Sequence, residues 1–135
     1  MTVSYTLAEI PAIAKQILAQ NPHKVIVFIG EMGAGKTTLI KSLAACLGVQ
    51  NATSSPTFSL VNEYHTETNG PVYHFDVYRI KDESEAYDFG MDEYLYSGNW
   101  CLVEWPEKIP TLIPQEHSTI KIKVISENSR ELSLF

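Results

Sequence analysis

Lys36, Thr37 and Thr38 stand directly behind three glycines, Gly30, Gly33 and Gly35, with Ala34 between the last two. Residues 30 to 37, "GEMGAGKT", fit the spacing G-x-x-x-x-G-K-[ST]. This combination suits a phosphate anion. Glycines reach backbone angles closed to other residues, so successive N–H groups can converge on one point. A helix that begins there adds the positive end of its dipole. Lys36 is then placed for the β- and γ-phosphates of a nucleotide, the Thr37 hydroxyl for Mg²⁺, and Thr38 for the α-phosphate. The alternative is a glycine turn with an incidental lysine. At average composition the four fixed positions coincide by chance in well under about 1% of chains this long.

A phosphate cradle of this kind needs a carboxylate at the end of a neighbouring strand to hold the metal shell. Two residues qualify: Asp76, which closes "VYHF", and Glu104, which closes "CLV". Either is otherwise a solvated acid at a strand end. Thr57, behind Pro56 in a polar loop, suits a hydroxyl that orders around a γ-phosphate and Mg²⁺, or one that caps backbone. Trp105, before Pro106, reads equally well as a core aromatic. His74 alternates with Asp76 and reads as a packed strand residue rather than a ligand. Tyr78 and Arg79 suit a partner contact or a solvated strand end, and the acidic "DESEAYDFGMDEY" suits a solvated face or a docking surface.

These residues need elements to hold them. Lys24 to Ile29 is a continuous apolar run of the kind buried on both faces, which favours a central parallel strand. A helix from Thr37 to about Leu47 follows, with Gly48 placed to end it. Before the run, Leu7, Ile10, Ala14, Ile17 and Leu18 predict a helix within residues 5 to 20. Its start is open by one turn, because Thr6 and Glu9 suit a capping box while Pro11 suits the first helical position. "TFSLVNEYHTETNGPVYHFDVYRI" predicts two strands joined by a polar turn, and "ESEAYDFGMDEYLYSG" a weak helix broken at Gly90. "WCLVEW" is a buried strand stopped by Pro106, and the tail around "SENS" a final hairpin. The expected fold is α/β: one P-loop NTPase domain over residues 1 to 135. Its mixed, mostly parallel central sheet is flanked by helices and carries antiparallel hairpin additions.

Composition narrows the function classes. Of 135 residues, 44% are hydrophobic and 19% charged, as in an ordinary globular chain. A net charge of −6 argues against a broad basic surface that grips nucleic acid. Cys46 and Cys101 match no metal-ligand spacing and read as small buried side chains in a reducing compartment. No targeting segment or membrane-length apolar run is seen, so a cytoplasmic protein is expected.

With "GEMGAGKTT" followed in order by "SSPTFSLVNEY", "HFDVYRI" and "CLVEWPEK", the chain closely resembles the TsaE (YjeE) family. The likeness runs from about Val25 to Lys108 and is looser at both ends. Members are small bacterial P-loop ATPases of tRNA threonylcarbamoyladenosine (t6A) biosynthesis. The resemblance implies ATP and Mg²⁺ as cofactors, and TsaD and TsaB as protein partners through which tRNA is reached indirectly. It also implies P-loop roles for Lys36 and Thr37, with Glu104 as the magnesium-ligating glutamate and Asp76 as a Walker-B-like aspartate. Trp105 corresponds to a tryptophan required for activity. Ser55, Pro56 and Thr57 correspond to a nucleotide-sensing switch loop, and Arg130 to an arginine near the nucleotide base.

The implied function is an ATPase, weak alone, that drives or resets a tRNA-modifying assembly. A small-molecule or nucleoside kinase using the same P-loop is the alternative. It would need an acceptor pocket and an arginine-bearing lid, yet Arg79 and Arg130 are the only arginines. A guanine-nucleotide switch lacks its Asn-Lys-x-Asp segment. A non-catalytic binding module would hold ATP without turnover.

Overall fold

The computed structural model describes residues 1–50 and 60–135. The apolar run becomes strand β2 (Val25–Ile29) and lies at the centre of one sheet. It pairs in parallel with β5 (Trp100–Glu104) on one side and β6 (Ser118–Ser126) on the other, and β4 (Val72–Asp76) continues parallel beyond β5. The outer strands reverse: β3 (Val61–Tyr64) on β4, β7 (Ser129–Leu134) on β6, and β1 (Thr2–Thr6) on β7. The resulting order is β1-β7-β6-β2-β5-β4-β3. The parallel centre and the two antiparallel hairpins are those expected from the sequence.

Burial on both faces explains why β2 has no polar alternation. Ile26 and Phe28 face the helices α1 (Ile10–Ala19) and α2 (Lys36–Cys46), which bring Ile13, Ile17, Leu39, Ile40 and Leu43 into the same cluster. Val25 and Val27 face the other way, toward Phe75, Val103, Ile109 and the short helices α3 (Glu83–Phe89) and α4 (Met91–Leu95). Each fully buried Leu or Phe contributes about 1.5–3 kcal/mol. Packing, more than intrinsic propensity, therefore keeps α2 helical directly behind three glycines.

The start of the chain differs from expectation. Thr2–Thr6 is a strand, and the helix begins only at Ile10, after a 3₁₀ turn at Leu7–Glu9. Both start signals are used in succession. The Glu9 carboxylate accepts from the Thr6 amide and hydroxyl, at 2.8 and 3.1 Å, and Pro11 sits in the first turn of α1. Val3 and Tyr5 point inward from β1, an alternation too short to outweigh the helical spacing that follows it. A second difference concerns the cysteines. Cys101 is buried as expected, but Cys46 is exposed, because it ends α2 outside the Leu39–Ile40–Leu43–Ala44 face turned to the sheet.

Candidate functional site

The loop between β2 and α2 leaves the sheet at its centre, where parallel strands deliver their C-terminal ends to one rim. Gly35 precedes the helix with φ of +97°, and Gly33 has φ of +81°. A Cβ at either position would meet no heavy atom within 4 Å, so the left-handed backbone, not crowding, calls for glycine there. Gly30 differs: an added Cβ would lie 3.1 Å from the Ile122 carbonyl oxygen and 3.3 Å from the Ala34 Cβ. Helix α2 starts with no side-chain cap and no acid in its first turn. Its leading amides and dipole therefore face the loop unneutralised, as an anion site requires.

Lys36 opens α2 and is 5% exposed. Its ammonium donates to the Gly30 carbonyl at 2.5 Å and lies 3.3 Å from the centroid of the Trp105 ring. Burial pushes its pKa below the usual lysine value, partly opposed by the carboxylates of Glu104, Glu107 and Asp76. Trp105 has a left-handed backbone, φ 63° and ψ 50°, which costs a non-glycine residue about 1–3 kcal/mol and is typical of functional sites. Tyr78 lies against the same indole, ring centroids 4.8 Å apart.

Thr37 faces Glu104. Its hydroxyl donates to both carboxylate oxygens, Oε1 at 2.9 Å and Oε2 at 3.0 Å. Glu104 closes β5 and is 3% exposed. His74, fully buried on β4, places Nε2 2.7 Å from Oε2, and the Tyr64 hydroxyl lies 3.2 Å from its Nδ1. Asp76 pairs across the rim with Glu104 in the β4–β5 register and accepts from the Tyr78 amide at 3.1 Å. Burial raises its pKa, as does the Glu104 charge, against the lowering effects of the Tyr78 N–H, His74 and Lys36.

The structure thus gathers Gly33, Ala34, Gly35, Lys36, Thr37, Asp76, Glu104 and Trp105 at one rim, while Thr38 is exposed in the first turn of α2. Arg130 reaches the loop from β7, on the face of the sheet that carries Tyr5 and Leu132. Its Nε donates to the Ala34 carbonyl at 3.1 Å, and Nη1 donates to the carbonyls of Ser126, Glu127 and Ser129 in the β6–β7 turn. Ser55, Pro56 and Thr57 lie outside the described residues. Sequence reasoning passed over Tyr64 and took His74 as packing alone. His74 is packed, but the clue to its second role was its place two residues before Asp76, on the face of β4 that carries the acid.

The oxygen set fits a hard cation. Thr37 Oγ1 and the Glu104 carboxylate already touch, at the foot of the glycine loop. Among the described residues no group of three or more His, Cys, Asp and Glu could hold a metal ion. A hydroxyl and a carboxylate are oxygen ligands of the kind Mg²⁺ takes, beside phosphate oxygens and water.

The chain is similar to known proteins over most of its length. The family model "Threonylcarbamoyl adenosine biosynthesis protein TsaE" matches residues 4–132, well beyond the central segments quoted above. The chain is 44% identical over 126 residues to the tRNA threonylcarbamoyladenosine biosynthesis protein TsaE of Bacillus subtilis, covering 93% of this chain and 78% of the relative. It is 36% identical over 110 residues to the protein of that name from Treponema pallidum, covering 82% and 80%. The crystal structure of Bacillus subtilis YdiB matches with a TM-score of 0.73 at 33% identity, covering 99% of this chain and 84% of that one.

Proposed function

This chain belongs to the TsaE family of threonylcarbamoyl adenosine biosynthesis proteins, and on that premise we propose that it binds and hydrolyses ATP with Mg²⁺. It does so in the service of a TsaD–TsaB assembly that modifies adenosine in tRNA, in the cytoplasm. Among the described residues no helix is long and apolar enough to cross a membrane, in keeping with that setting. The observation that carries the reading is the meeting of Lys36, Thr37 and Glu104 at the uncapped start of α2.

The loop amides and the start of α2 bind the phosphates of ATP. Lys36 exchanges the Gly30 carbonyl for the β- and γ-phosphate oxygens, where its charge meets the charge that develops as the terminal phosphoryl leaves. Magnesium, if bound, would offset the charge on the phosphate oxygens. Thr37 and Glu104 are the residues that would hold it. Asp76 sits beside them and orients a water molecule. Thr38 reaches the α-phosphate, and Arg130 braces the loop on the base side. The Ser55–Pro56–Thr57 segment senses the γ-phosphate and, with Trp105, contributes to the partner-facing surface.

Turnover by the isolated chain is slow, because no residue of the rim acts as an arginine finger. Arg130 is committed to main-chain carbonyls, and Arg79 is exposed. The same commitment leaves a nucleoside kinase without its lid arginine. Phosphate release from ATP, measured for the chain alone and then with TsaD, TsaB and tRNA, tests the proposal. Slow release that rises with the partners supports it. Phosphate transfer to a nucleoside acceptor, with no stimulation by partners, would replace it with the kinase reading.

A further inference from the structure

We infer that His74, backed by Tyr64, is a positioning residue for the magnesium shell: it fixes which oxygen of Glu104 is presented to the metal. The inference rests on Glu104 being the metal-side carboxylate and goes beyond that role to what aims it. His74 pairs in register with Leu102, and Asp76 with Glu104, so His74 and Glu104 are diagonal neighbours on one face of the sheet. Across that diagonal Nε2 lies 2.7 Å from Oε2. A carboxylate accepts only, so Nε2 carries the hydrogen. In the neutral ring Nδ1 is then the acceptor, and the Tyr64 hydroxyl, 3.2 Å away, the donor. Three strands, β3, β4 and β5, thereby set one carboxylate.

The consequence lies in the two oxygens. Oε2 is held from behind by His74 and shares the Thr37 hydroxyl at 3.0 Å, whereas Oε1, among the described residues, is held by that hydroxyl alone, at 2.9 Å. When Thr37 turns to the metal, Oε1 becomes the available acceptor, and the carboxylate cannot swing away because Oε2 stays anchored. Among the described residues no buried side-chain nitrogen or oxygen lacks a partner, so the chain from Tyr64 to Thr37 is closed. Removing His74 takes away the rear partner of Glu104 Oε2 and loosens the carboxylate. Partners of this kind, behind the groups that touch a metal, typically govern about 10- to 100-fold in its affinity.

The test separates metal-dependent from metal-free nucleotide affinity. A fluorescent ATP analogue is titrated into the full chain with Mg²⁺ and with EDTA, for His74→Phe, His74→Gln, Tyr64→Phe and Glu104→Gln. His74→Phe should lose about 10- to 100-fold of the affinity gained on adding Mg²⁺. Its affinity in EDTA should be unchanged. Tyr64→Phe, which keeps the packing and carries the test should His74→Phe fail to fold, should lose the same kind of gain to a smaller degree. His74→Gln, whose amide N–H can still reach Oε2, should recover part of it. If the Mg²⁺ gain survives in His74→Phe and Tyr64→Phe but is lost in Glu104→Gln, the inference fails alone. Equal losses in Mg²⁺ and EDTA would also overturn it, by marking a structural role. If Glu104→Gln keeps the gain, the reading of Glu104 falls, and this inference with it.

Discussion

The Lys36 ammonium and the Trp105 indole form a cation–π pair, 3.3 Å from nitrogen to ring centroid, behind a lysine that also donates to the Gly30 carbonyl. The cation proposed to meet phosphate is therefore already engaged in the resting chain. Such a pair is worth about 0.5–2 kcal/mol. A nucleotide must displace it, and Trp105 in turn registers whether Lys36 has left.

That pairing gives an optical prediction. In a Trp100→Phe background, Trp105 is the sole tryptophan, and ATP should change its emission as Lys36 withdraws. Lys36→Ala should reproduce the shift without nucleotide and show little further change when ATP is added. An emission spectrum indifferent to both would mean that the ammonium does not move.

Lys36→Ala should also abolish phosphate release while leaving the fold intact. Loss of one preorganised donor at the developing charge costs about 10²–10³ in rate. The variant should melt close to the parent, the lost cation–π pair and Gly30 hydrogen bond being offset by removal of a buried charge. Burial depresses the lysine pKa, so the charged form costs stability at pH values below its folded pKa, and truncation removes that cost. Normal turnover, or a large drop in melting temperature, would contradict the assignment.

Asp76→Asn addresses pH. The folded-state pKa of Asp76 is raised above its ordinary value, chiefly by burial, so the folded chain holds this proton more tightly than the unfolded chain. Its contribution to stability is greatest below the unfolded pKa and is lost as pH rises through the folded one. The ionised carboxylate is therefore a cost at neutral pH. Asn keeps an acceptor for the Tyr78 amide. It should raise the melting temperature at pH 7, with a gain that shrinks as pH falls toward about 4, the ordinary aspartate range. Turnover should fall at every pH. A gain that grows toward acid would reverse the sign argued here.

The two thiols give a check on the fold. Burial pushes the Cys101 thiol up to about 12, whereas Cys46 is exposed. At pH 8 a disulfide reagent should label Cys46 rapidly and Cys101 only on unfolding. Two fast thiols would place β5 wrongly.

Association with tRNA should depend on protein partners. Ten Lys and Arg face sixteen Asp and Glu, and affinity for tRNA comes chiefly from phosphate contacts. Gel shifts at physiological salt should show weak binding by this chain alone. Pull-downs should show association with a TsaD–TsaB pair, strongest with an ATP analogue. Tight tRNA binding without any association to that pair would reverse the order of contacts.

What could be read from the sequence was mostly local. The glycine loop, its strand and its helix lie within residues 25 to 47, and Gly35 takes the left-handed backbone its type suggests. What could not be read depended on pairing. Thr2–Thr6 is a strand because β7, at the other end of the sequence, lies beside it. Tyr64, His74 and Glu104 become one hydrogen-bonded row only when β3, β4 and β5 are neighbours in register. Resemblance suggested that Arg130 lies near a nucleotide base. Its position on β7 turns Nε toward Ala34, a contact that needs the order β7-β6-β2 to be known first.

That last contact makes two distant segments share one equilibrium. Arg130, 96 residues along the chain from Ala34, fastens the Ala34 carbonyl to the turn at Ser126–Ser129. To the extent that a ligand stiffens the loop, amide hydrogen exchange in that turn slows with it. Coupling of this kind is reciprocal. A molecule that grips the turn must alter nucleotide affinity by the same factor by which nucleotide alters its own. The β6–β7 turn is in this sense a second handle on the phosphate site.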